Sequence, residues 1–121
     1  MEKENLKKPY KRYCKTLRLK DSPELIAEYR RLHSPGVTWP EISEGMKAVG
    51  IVDMEIYLLG TTLFMIMETE PDFDHDLSME KLASLPRQAE WEAVVSKFQR
   101  ASEDASAQEK WQLMERIYKM E

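Results

Sequence analysis

One cysteine, two histidines and four glycines are all that these 121 residues hold of the types that most often mark special chemistry or special backbone. The lone Cys14 excludes an internal disulfide and any multi-cysteine zinc site, and it predicts a reducing compartment, the cytoplasm. Long hydrophobic runs are also missing. The longest, Leu63 to Met67, falls far short of the roughly 20 residues that span a bilayer, and the start MEKENLKK has no signal-peptide core. The chain is therefore expected to be neither exported nor membrane-embedded. Positive charge is in deficit, with 18 Lys plus Arg against 22 Asp plus Glu, so no general attraction to phosphates exists and nucleic acid is not an expected partner. A phosphate-binding glycine loop, a Gly-x-Ser-x-Gly elbow and a hydrolase-like carboxylate pair are all absent, which leaves nucleotide and acyl-transfer chemistry unsupported.

What is present is apolar material, 42% of the chain beside 33% charged residues, more than a disordered chain carries. At this length one core is expected. Residues 1–9, charged and aperiodic, read as a mobile arm before a single domain over 10–121. Tyr10 to Leu19 alternates imperfectly, as a strand does. Asp21-Ser22-Pro23-Glu24 predicts a helix start, with Ser22 as cap, Pro23 in the first turn and Glu24 on the dipole. Leu25, Ile26, Tyr29 and Leu32 keep the helical period, and His33 falls on the same side before Pro35 and Gly36 end the helix. The Thr-x-x-Glu spacing of a capping box at Thr38 and Glu41 predicts a second helix, with Ile42, Met46 and Val49 inward and Gly50 at its end.

Ile51 to Leu59 and Thr61 to Glu70 read as a hairpin turning at Gly60. Val52, Met54, Ile56 and Leu58 are expected on one face of the first strand, with Asp53, Glu55 and Tyr57 on the other; around Leu63 to Met67 both faces are apolar. Residues 68–76 read as an acidic loop and Met79 to Leu85 as a short helical turn ended by Pro86. Trp91, Val94, Val95 and Phe98 form the stripe of a longer helix. A polar connection from Arg100 to Lys110 leads to a terminal strand over Leu113 to Met120. This order predicts an α+β ferredoxin-like sandwich, a four-stranded antiparallel sheet with helices on one face. Apolar residues on the open face, among Val52, Met54, Ile56, Leu58, Phe64 and Ile66, call for a second copy and a homodimer.

Histidine is the side chain best suited to exchange protons near neutrality. His33 lies four residues after Tyr29, so both leave one helix face a turn apart and fit a shared small ligand. Spacing alone fits equally the commoner arrangement, two rings at the edge of a stripe with their polar tips wet. His75 lies in Asp72-Phe-Asp-His-Asp76, which imitates a calcium loop. Leu77 and Ala83, however, stand where that loop needs its glycine and its bidentate glutamate, so a solvated acidic loop and no metal site are expected. Met46, Met54, Met65 and Met67 read as core filling. Trp91 fits either a sugar platform or the first large residue of a buried helix.

Read together, Glu28-Tyr-Arg-Arg-Leu-His-Ser-Pro35, Trp39-Pro-Glu41, Gly50, Glu55-Ile-Tyr-Leu58 and Met65 to Glu68 resemble the L-rhamnose mutarotase family, with further similarity around Trp91 and in the terminal strand. The resemblance implies a ferredoxin-like chain that pairs into a dimeric α/β barrel and interconverts the α and β anomers of a deoxyhexose without a cofactor. It assigns His33 as proton donor, and Tyr29 and Trp91 as substrate-binding residues. Met54 stands where the family carries a tyrosine, Glu92 replaces a second tryptophan, and Ser34 to Thr38 is slightly longer.

Anomer exchange opens a cyclic hemiacetal, turns the aldehyde and closes it again, so only protons move and no metal is needed. A 6-deoxy-L-hexose is the expected substrate, L-rhamnose first and L-fucose second. The competing readings are a noncatalytic ferredoxin-like dimer that binds a small ligand, and a cofactor-free monooxygenase or isomerase of related architecture.

Overall fold

The computed structural model describes residues 9–100 and 110–120. Its elements are β1 (Lys11–Arg18), α1 (Pro23–Leu32), α2 (Pro40–Ala48), β2 (Ile51–Leu59), β3 (Thr62–Thr69), α3 (His75–Ala83), α4 (Gln88–Ser96) and β4 (Gln112–Leu113). The four strands form one sheet in the order β2-β3-β1-β4, and every neighbouring pair is antiparallel. Two helices follow β1 and two follow β3, the split β-α-β order expected from the sequence. The expected N-terminal arm lies outside the described residues except for Pro9, as does most of the connection before β4.

Strand β3 has the burial rhythm of a central strand, with Leu63, Met65, Met67 and Thr69 inward. Register brings Leu17, Lys15 and Tyr13 of β1 beside them on one side and Leu58, Ile56 and Met54 of β2 on the other. Tyr29, Ile42, Leu82, Trp91 and Val95 from the four helices close over this face in a single apolar cluster. Burial of such side chains, about 25 cal/mol per Å² of apolar surface, is what holds helices to sheet.

The structure corrects the expected face of β2. A register shift between Ile51 and Asp53 inserts one residue, which turns Ile51 into the core and Val52 outward. Met54, Ile56 and Leu58 therefore face the helices. The open face carries Tyr57 and Glu55 opposite Phe64 and Ile66, so a partner on that side would meet the second group and not the first.

Helix starts differ in a similar way. Ser22 caps α1 as expected, its hydroxyl accepting from Leu25 N at 3.3 Å. Thr38 does not cap α2: Trp39 is the N-cap residue, with no side-chain bond. The Thr38 hydroxyl instead donates to Leu32 O at 2.8 Å, satisfying a carbonyl at the end of α1. The acidic segment is shorter than expected because Asp74 caps α3, accepting from Leu77 N at 3.1 Å, and Asp76 sits in its first turn. Strand β4 spans two residues, and the chain from Met114 to Met120 runs exposed beyond it. No helix among the described residues is long and apolar enough to cross a membrane.

Candidate active site

Between the inner face of the sheet and the helices lies a cavity of about 760 Å³, within the roughly 300–1,000 Å³ of small-molecule sites. Its apolar wall includes Ile42, Met46, Met54, Ile56, Met65 and Val95, so several methionines expected only as filling are also lining. Tyr29, His33 and Trp91, the three residues singled out from the sequence, all reach this one space.

The end of α1 fixes His33. As the C-cap residue it donates its backbone N–H to Arg30 O at 3.2 Å, and its ring Nδ1 lies 2.8 Å from Tyr29 O. A carbonyl only accepts, so Nδ1 carries the hydrogen and Nε2 is the nitrogen left for a ligand. The ring stacks on Tyr29 with centroids 4.3 Å apart and meets Trp91 edge-on at 5.6 Å. Trp91 in turn meets Trp39 at 5.2 Å, and the Arg87 guanidinium lies 3.9 Å over Trp39. Burial depresses the His33 pKa against the pull of the Tyr29 carbonyl, which favours a neutral imidazole whose Nε2 lone pair is basic.

Burial, opposed by a hydrogen bond with Gln99 and reinforced by the Glu92 charge, pushes the Tyr29 phenol up to about 12. It is a neutral hydroxyl at working pH, suited to hold a substrate oxygen. Gln99 Oε1 is buried with no hydrogen-bond partner among the described residues, an acceptor open to a hydroxyl.

Several polar residues of the site escape the sequence reading. Lys110, 4% exposed, points Nζ at Glu92 Oε1, 3.2 Å away, and at Ser96 Oγ. Glu92 thus stands in the wall as the partly exposed half of an ion pair whose lysine is buried. Lys15 also lines the cavity at 2% exposure, and Trp39 and Trp111 add rings around or along it. The signal for Lys15 is its inward register between Tyr13 and Leu17; nothing local marks Lys110.

His75 lies apart. Its ring packs on Tyr13 at 5.0 Å, and Nδ1 meets Asp76 Oδ1 at 2.8 Å, beside a shallow hollow that Asp72 and Asp74 share. Asp74 and Asp76 thus serve the helix start and this ring. Among the described residues no group of three His, Cys, Asp or Glu side chains is arranged to hold a metal.

A family model described as L-rhamnose mutarotase matches residues 12–120. The chain belongs to the L-rhamnose mutarotase family. Mutarotases are isomerases that interconvert sugar anomers. The chain is 36% identical to an L-fucose mutarotase of Xanthomonas campestris over 107 residues, 88% of this chain and 86% of that one. It is also 36% identical to a UPF0734 protein of Dictyostelium discoideum over 116 residues, 93% and 91% of the two chains. In fold it is similar to the crystal structure of an L-rhamnose mutarotase from Formosa agariphila, at a TM-score of 0.67 and 18% identity, covering 92% of this chain and 99% of that one.

Proposed function

We propose that this mutarotase acts on a 6-deoxy-L-hexose, L-rhamnose first, with His33 as the proton-transfer residue and Tyr29 and Trp91 as sugar-binding residues. The observation that carries the reading is the His33 ring, pinned through Nδ1 to Tyr29 O at 2.8 Å with Nε2 left for the cavity. Neutral Nε2 takes the proton of the anomeric hydroxyl as the ring opens. The imidazolium so formed is the donor that returns a proton to the aldehyde oxygen on closure. Trp91 supplies an apolar surface for the sugar face and its methyl group, while the Tyr29 hydroxyl and Gln99 fix hydroxyl orientation. These steps need no cofactor.

L-fucose is the second reading, supported by the Xanthomonas relative's name and by Met54 and Glu92, which change an aromatic wall and the hydroxyl partners. One well-matched buried hydrogen bond shifts discrimination by roughly 1–3 kcal/mol, enough to reverse the order of two sugars. Saturation-transfer exchange NMR on L-rhamnose, L-fucose and D-glucose tests both. Faster α/β interconversion is expected for at least one deoxy sugar, with weaker acceleration of D-glucose. No acceleration of any sugar would favour a noncatalytic ligand-binding protein.

The active form is a cytoplasmic homodimer in which a second copy covers the open face, giving a dimeric α/β barrel. Phe64 and Ile66 on that face, and Tyr57 at 53% exposure, supply the apolar contact. Wild-type protein is expected to run at twice the chain mass at micromolar concentration, and Ile66→Asp at the chain mass. A folded wild-type monomer would remove the sheet-mediated dimer.

A further inference from the structure

One charged group on the cavity wall has no part in the reaction described so far. Lys15 sits on β1 opposite Met65 of β3 and Leu113 of β4, and it is 2% exposed. Lysine is seldom this buried without a close partner, and among the described residues Lys15 Nζ makes no hydrogen bond, while the Asp76 charge attracts it through space. Lys110, the cavity's other buried lysine, is engaged by Glu92 and Ser96. Lys15 therefore brings an ammonium without a hydrogen bond to a described residue to the wall of the space that His33 and Tyr29 also line.

Anomer exchange needs an acid at the ring oxygen as well as a base at the anomeric hydroxyl. We propose that Lys15 is the second catalytic residue of anomer exchange, its Nζ donating a proton to the sugar ring oxygen while His33 Nε2 takes the anomeric proton. The proposal rests on the mutarotase reading of this cavity. In opening, the O1–H bond breaks toward Nε2, C1=O1 forms, the C1–O5 pair leaves on O5, and O5 takes the Nζ proton. After the aldehyde turns, O5 adds to its other face and gives its proton back to the neutral amine, while the imidazolium returns one to O1. No net proton and no electron is exchanged with solvent. Tyr29 is the wall's other candidate acid, but it holds its proton up to about 12. Burial lowers Lys15 to about 8 against the pull of Asp76, leaving an ammonium that is charged at neutrality and far more acidic than an ordinary lysine.

Lys15→Met removes the proton while keeping chain length and burying no charge. It is expected to fold, with kcat for the better of L-rhamnose and L-fucose falling by about 10²-fold or more in exchange NMR. Lys15→Arg keeps the charge but is too weak an acid, so it is expected to lose exchange as well. In wild type, kcat/KM is expected to fall at alkaline pH as Lys15 loses its proton, and this limb is expected to be absent from what remains in Lys15→Met. The other titratable groups facing this space are Tyr29 and His33 from α1, Lys47 from α2, Asp53 from β2, Glu92 from α4 and Lys110. Wild-type exchange in Lys15→Met with exchange lost in His33→Ala overturns the lysine's role and leaves the mutarotase reading standing. Absence of exchange by wild type overturns both. If Lys15→Met does not fold, the wild-type profile decides, and a rate that stays flat through the lysine's alkaline transition overturns the proposal.

Discussion

The two histidines have nearly the same immediate surroundings and different prospects. Each bonds through Nδ1 to an oxygen at 2.8 Å, and each lies on a tyrosine, with centroids at 4.3 Å for His33 and 5.0 Å for His75. What differs is the second nitrogen and what shares its space. His33 opens on a cavity with Trp91, Tyr29, Gln99 and two buried lysines, whereas His75 Nε2 is buried with no hydrogen-bond partner among the described residues. An anchored imidazole becomes a site only where a substrate-sized space and further polar groups converge on its free nitrogen.

The widest separation between the two is expected from His33→Ala. Loss of a positioned proton-transfer group falls in the range of about 10²–10⁴-fold, and a drop of at least about tenfold in exchange with the fold retained is the minimum expected. Wild-type exchange in that variant would erase the distinction and move the chemistry elsewhere. Trp91→Phe is expected to act more mildly and on binding. It keeps an apolar ring but loses part of the stacking surface, so KM should rise about two- to tenfold with kcat little changed. A fall confined to kcat would instead mean that Trp91 works by holding the His33 ring.

Protonation sharpens the comparison further. Because burial holds the folded His33 pKa below 6.5, the unfolded chain binds a proton first as the solution is acidified. The stability tied to neutral His33 is thus complete above 6.5 and is lost as pH falls from 6.5 through the lower folded value. Proton NMR of the ring should give a His33 midpoint under 6.5, with exchange persisting to the same pH. A midpoint above 6.5 would contradict the buried, neutral imidazole.

Much of this site is legible along the chain because α1 carries two of its residues in one turn. Tyr29 and His33 share a face by helical period alone, and Trp91 follows from the stripe of α4. Lys15 is legible by the same logic applied to β1, where alternation puts it inward between Tyr13 and Leu17, although the outward Arg12 and Arg18 make the segment look merely basic. Lys110 has no such mark. Its place depends on β4 pairing with β1 across nearly the whole chain, which no local pattern encodes. The faces of β2 mislead because one inserted residue at Val52 reverses the alternation ahead of it. Thr38 misleads for a different reason: Pro40 starts α2 one residue later than the capping-box spacing implies, and the hydroxyl is then closer to a free carbonyl of α1. Local motifs thus locate the elements, while bulges and long-range pairing decide which side chains meet.

The smallest effect is expected from His75→Ala, and it is the control on which the comparison rests. The His75 ring packs on Tyr13 and lies 6.5 Å from Phe73, so truncation removes some contact area. The lost bond goes to Asp76, whose side chain is 92% exposed, and exposed pairs of this kind contribute about 0–1 kcal/mol. Removing a buried Nε2 that has no hydrogen-bond partner among the described residues works in the opposite direction, since such an atom costs stability. The net change in denaturant unfolding should be about 1 kcal/mol or less, and exchange should stay within about twofold of wild type because the ring meets Tyr13, Phe73 and Asp76, none of which lines the cavity. A tenfold loss of exchange in a folded His75→Ala would mean that the acidic end of the sheet takes part in the reaction, and the contrast between the two histidines would fail.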